Sequence, residues 1–217
     1  MIRAVQGRVE RKLTAILCAD VHGYSRLMGD NEEATVRTLS AHRRIIDGLI
    51  EQHHGRFVNS AGDSVLAEFP SVVNAVECAV EIQALLKKEN AGLPPERRME
   101  LRIGVNLGDV VVDGGQIYGD GINVAARLES LAQAGGINIS GSVHEHIGNR
   151  LPLELRGSRR AHVKNIAKPV RVFRVLSEPG TLWVIHAPTS AQRRSRLERS
   201  LSSTISAAPA IGLQRFG

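Results

Sequence analysis

Lys12–Ala19, KLTAILCA, is a continuous apolar run that stops on an acid, Asp20. Successive residues of a strand point to opposite faces, so a run without polar alternation reads as a buried strand. The chain around it must supply the neighbours that bury it. After His22-Gly23-Tyr24-Ser25 the spacing turns helical, and Asp30 or Asn31 caps a longer helix reaching about Gln52 and ended by Gly55. GRFVNSAGDSVLAEFP, Gly55–Pro70, then reads as two short strands, Arg56–Ala61 and Ser64–Phe69, joined at Gly62-Asp63. Ser71 caps a second helix running to about Asn90. Glu100–Asn106 and Val110–Val112 read as strands with a turn at Gly108-Asp109. Strand, helix, strand-strand, helix, strand is the split βαβ pattern. The expected class is therefore α+β: a ferredoxin-like α/β sandwich whose sheet contains antiparallel strands and carries its helices on one face. Further elements extend this core: a helix over Gly119–Ala134, a strand at Ile137–Ser140, a helix from Ser142 to about Asn149, and strands near 160–164 and 170–176.

The 217 residues accommodate one domain with a proper core plus tails. We read 1–10 as an N-terminal extension, 11–176 as the domain and 177–217 as a Ser-, Ala- and Arg-rich tail, largely disordered, with one basic helix in 191–202 as an option. The net charge of +6 suggests nucleic acid until it is located. Residues 1–9 contribute +2 and 177–217 contribute +3, leaving +1 for the body. No nucleic-acid partner is expected. No apolar run approaches the roughly 18–20 residues that cross a bilayer, and the N-terminus lacks the apolar segment of a secretory signal. Two cysteines, Cys18 and Cys78, read as buried core thiols. The expected compartment is the cytoplasm. His53-His54 and His144-Glu145-His146 lack a second cluster at ligand spacing and read as surface residues.

Asp20 ends the first strand and Asp63 sits at the hairpin tip. If the hairpin lies beside the first strand, two carboxylates meet at neighbouring strand ends, a donor set that suits Mg²⁺ with positions left for phosphate oxygens. Val21-His22-Gly23-Tyr24-Ser25 opens a helix directly after Asp20, and a helix N-terminus offers free N–H groups to phosphate. Within IYGDGINVAARLES, Asn123 and Arg127 are four residues apart and share one helix face. An arginine among small residues can reach a phosphate with its planar fork. Each signal alone also fits ordinary turn chemistry or a solvated helix face.

In their order and spacing, ADVHGYSRL, VNSAGDSVLAEF, RIGVNLGDVVV and IYGDGINVAARLES resemble the catalytic domain of class III nucleotidyl cyclases over roughly residues 11–176. The resemblance implies the following. Asp20 and Asp63 hold two Mg²⁺ or Mn²⁺, with the Val21 carbonyl as a further ligand. The 3′-hydroxyl of ATP attacks the α-phosphate in line, giving 3′,5′-cyclic AMP and pyrophosphate. Asn123 orients the ribose and Arg127 stabilises charge at the α-phosphate. Lys164 binds the terminal phosphates. Gly23, Tyr24 and Ser25 cradle substrate oxygens. The family builds its sites across a dimer, so a homodimer with interfacial active sites is implied.

One departure bears on the base. Where adenylate-forming members carry Lys and an acid, this chain has Asn59 and Gln116. Carboxamides both donate and accept, so they can read adenine and can also meet guanine. ATP is the expected substrate, with a guanylate or dual-specificity cyclase, or a non-catalytic nucleotide-binding and dimerisation module, as alternatives.

Overall fold

The computed structural model describes residues 10–161 and 169–176. Its strands are β1 (Glu10–Val21), β2 (Arg56–Asn59), β3 (Val65–Phe69), β4 (Leu101–Asp113), β5 (Gln116–Tyr118), β6 (Ile137–Ser140), β7 (Glu154–Ala161) and β8 (Val170–Leu176). Its helices are α1 (Tyr24–Asp30), α2 (Glu32–Gln52), α3 (Val72–Glu89), α4 (Asp120–Ser130) and α5 (Gly141–Ile147). The expected α+β architecture is present as one sheet in the order β2-β3-β1-β4-β6-β8-β7, with β5 folded back onto β4.

The apolar run lies where its composition places it. β1 pairs antiparallel with β3 on one side and with β4 along its whole length on the other. Ile16 and Leu17, neighbours on opposite faces, are both fully buried. Burying each such side chain contributes about 2 kcal/mol. Ile16 and Cys18 share a core cluster with Val58, Val110, Ile117 and Ala125, the last from α4. The other face of β1 and β4, carrying Ala15, Leu17, Ile103 and Val105, is equally dry and is covered by α3, against which α2 packs. Helices therefore cover both faces, not one. From Ala15 to Ala19 the central strand is apolar and buried at every position, and a strand of that kind needs cover on each side.

Other differences have local causes. β4 is one unbroken strand where a turn was expected at Gly108-Asp109. Gly108 pairs with Thr14, and Asp109 with Leu13. Gly108 is there for closeness: a Cβ would sit 3.0 Å from the Cα of Gly121 on α4. The real turn is Gly114-Gly115, at φ 55° and 82°, which folds β5 back. α4 stops at Ser130, short of Ala134. β7 begins at Glu154, ahead of the expected 160–164, of which 162–164 lie outside the described residues. Asn31 caps α2 as expected, its Oδ1 accepting the Ala34 N–H at 2.9 Å. Ser71 precedes α3 without a side-chain cap bond. His53 is buried rather than on the surface, its Nε2 2.8 Å from Glu81 of α3. The expected N-terminal extension, apart from Glu10, and the expected tail 177–217 lie outside the described residues.

Candidate active site

The sheet order decides which side chains meet. Asp20 stands one residue from the end of β1, and β3, its neighbour, brings the hairpin tip alongside. The Val21 N–H donates to Asp63 Oδ2 at 3.2 Å. Burial, then the neighbouring Asp20 carboxyl, push the Asp63 carboxyl up to about 6. Two carboxyls held this close share either a proton or a cation. The donor set is all carboxylate oxygen, as Mg²⁺ and Mn²⁺ prefer. Among the described residues no third acid, histidine or cysteine joins it as a closed metal cage. The pair fits a divalent cation that keeps open positions for phosphate.

Two residues that the sequence reading missed complete this corner. Arg102 lies directly opposite Asp20 in the β1–β4 register. Its Nη2 is 2.8 Å from Asp20 Oδ2 and 3.1 Å from Glu129 Oε1 of α4. Burial, joined by the Asp20 and Asp63 charges and opposed by Arg102, pushes the Glu129 carboxyl up to about 7. The signal for Glu129 was legible: it fills the buried stripe of α4 beside Val124, Ala125 and Leu128, where an acid requires a partner.

The opposite stripe of α4 carries Asn123 and Arg127, both exposed, with Ala126 between them. Neither side chain makes a hydrogen bond or ion pair among the described residues, and nothing there joins them to Asp20 or Asp63.

Asn59 ends β2 just after a register shift between Phe57 and Asn59, an irregularity of the kind that re-aims a side chain. Gln116 opens β5, which packs against β2. Arg56 ties these strands, with Nη1 on the Gly115 carbonyl at 2.7 Å and Nε on Glu68 at 2.6 Å. Lys12 also reaches Glu68, at 2.9 Å. Burial raises the Glu68 carboxyl, but the bonds and charges of Lys12 and Arg56 outweigh it and hold the group below its ordinary value.

Gly23 opens α1 at φ 70°, and the N–H groups of Arg26 and Leu27 close onto its carbonyl. The N–H groups of Tyr24 and Ser25 thus precede the first helical bonds. Lys164 lies outside the described residues. No described helix is long and apolar enough to cross a membrane.

Residues 9–176 match the model of the adenylate and guanylate cyclase catalytic domain. A protein of Rhizobium meliloti (strain 1021) with the provisional name adenylate cyclase 3 is 45% identical over 166 residues, 76% of this chain and 28% of that protein. The chain thus spans under a third of that relative's length. A solved adenylate/guanylate cyclase/hydrolase from Silicibacter pomeroyi is 40% identical, with a TM-score of 0.74, covering 78% of this chain and 99% of that one. The guanylyl cyclase Cya2 is 28% identical, with a TM-score of 0.68, over 79% and 96% of the two chains. The fold, the ordered motifs and these matches agree: the chain belongs to the adenylate and guanylate cyclase catalytic-domain family.

Proposed function

We propose that this chain is a class III adenylate cyclase, converting ATP to 3′,5′-cyclic AMP and pyrophosphate for signalling in the cytoplasm. The observation that carries this reading is the Asp20–Asp63 carboxyl pair, with the Val21 N–H fixed on Asp63. These two side chains, joined by the Val21 carbonyl, would hold two Mg²⁺ or Mn²⁺. When bound, the cations supply activation of the ribose 3′-hydroxyl and neutralisation of phosphate charge. Asn123 orients the ribose through its carboxamide, and Arg127 donates to the α-phosphate oxygens as negative charge builds there. Lys164 and the start of α1 at Gly23, Tyr24 and Ser25 bind the phosphates. Asn123 and Arg127 have no partner inside the described part of their own chain, which favours a homodimer in which each chain completes the other's site.

Asn59 and Gln116 read the base. Two carboxamides favour no single purine outright, so guanylate or dual-specificity synthesis is the second reading. A module that binds nucleotide without turnover is the third, and the retained Asn123 and Arg127 weigh against it, because a binder needs no transition-state groups. The test is purified protein with Mn²⁺ or Mg²⁺, given ATP and GTP in parallel, with Asp63→Ala as control. Cyclic AMP from ATP, lost in Asp63→Ala, is the expected result. Cyclic GMP, alone or with cyclic AMP, would replace the base assignment. A folded dimer making neither product would leave the binding module.

A further inference from the structure

The hairpin tip that carries Asp63 has little of its own to hold it. Gly62 takes φ 61°, and a side chain there would meet nothing within 4 Å. Inside the turn, Ser64 bonds only to the backbone of Ala61, its N–H at 3.1 Å and its Oγ at 2.8 Å from the Ala61 carbonyl. A loop tied that loosely does not fix a carboxylate well enough to hold a cation. What fixes it comes from outside: the Val21 N–H holds the carboxylate itself at Oδ2, and α2 holds the backbone of the turn. Arg43, half-buried on α2, donates from Nη2 to the Gly62 carbonyl at 2.9 Å and from Nη1 to the Ser64 carbonyl at 3.1 Å. One planar guanidinium thus grips the carbonyls on either side of Asp63, one before it and one after it.

We infer that Arg43 is a positioning residue for the metal site: its fork sets the Asp63 carboxylate against Asp20 and so determines the affinity for divalent cations. The inference rests on reading Asp20 and Asp63 as the cation ligands. Three features distinguish it from general packing. The guanidinium addresses the turn's backbone, so it constrains Asp63 without competing for the carboxylate oxygens. It stands on a 21-residue helix whose inner face, including Ile46, Leu49 and Ile50, is buried, which makes the anchor rigid. And two bonds from one rigid plane fix orientation as well as distance, which a single ammonium cannot do.

The test is Mn²⁺ titration of the nucleotide-free full chain, with free Mn²⁺ read by electron paramagnetic resonance. Wild type, Arg43→Lys, Arg43→Ala and Asp63→Asn are compared, each with its thermal midpoint in chelator. Removing the partner of a metal ligand typically weakens binding 10–100-fold. Both Arg43 variants are expected to weaken Mn²⁺ binding roughly tenfold or more, Arg43→Lys included, because its charge remains while the fork is gone. In turnover, the Mn²⁺ needed for half-maximal rate rises while kcat at saturating Mn²⁺ recovers. Wild-type Mn²⁺ affinity in both Arg43 variants, with or without a lowered thermal midpoint, would overturn the inference while Asp63→Asn still loses binding. Unchanged affinity in Asp63→Asn would overturn the metal reading itself, and the inference with it.

Discussion

At the scale of single residues, two carboxyls hold protons more tightly in the folded chain than in the unfolded one. Asp63 rises from 3.8 to about 6 and Glu129 from 4.5 to about 7, burial being the first cause in both. A raised folded pKa gives stability that is complete below the unfolded value and is lost as pH rises through the folded one. The contribution of these two carboxyls to the stability of metal-free protein should therefore fall from about pH 4 to about pH 7, while buried His42, its pKa lowered, works in the opposite direction. Asp63→Asn and Glu129→Gln should flatten that fall, and thermal unfolding in chelator across this range checks it. The cysteines make a separate prediction. Burial pushes the Cys18 and Cys78 thiols up to about 12, so neither forms thiolate at neutral pH. An aromatic disulfide reagent should find no thiol in the native chain and both in the unfolded one.

At the scale of elements, α4 lies so close to β4 that Gly104 has no room for a methyl group. A Cβ there would collide with the Ala125 carbonyl and the Glu129 amide. Backbone atoms cannot rotate away, so Gly104→Ala should cost about 3 kcal/mol in denaturant unfolding. It should also lower kcat, because the displaced helix carries Asn123 and Arg127. Asn31→Ala, which removes the α2 cap, should cost about 1 kcal/mol and leave the site intact. What could be read from the sequence follows the same logic. β1, α2, α3, β6 and β8 were legible because each carries its own local pattern, an apolar run or a helical stripe between caps. Gly108 misled because glycine marks both a turn and a close approach, and only the position of Gly121 decides which. The adjacency of Asp20 and Asp63 was inferable from a known strand arrangement. The Arg102–Asp20 pair was not, since it depends on a β1–β4 register joining residues 82 apart in sequence. Arg43 was invisible for a related reason: its partners are carbonyls, which every residue has.

At the scale of the molecule, the proposed dimer has an arithmetic signature. Asp63→Ala and Arg127→Ala chains would each be inactive alone. Mixed equally and allowed to exchange, they would pair at random. Half the dimers would be mixed, and each would hold one site with every group in place. Activity should return to about a quarter of wild type. Failure to recover any would place the aspartates and the Asn123–Arg127 pair of each site in one chain. The crossover at α4 has a further consequence. β4 and β6 run parallel, the chain between them passes through α4, and α4 packs on β1, β4 and β6. The helix that carries the proposed transition-state groups is packed along three strands of the sheet. In the proposed dimer, opening the site for pyrophosphate to leave would then be a matter of one chain tilting against another. A signal that sets the angle between two copies would govern turnover without touching a single reacting group.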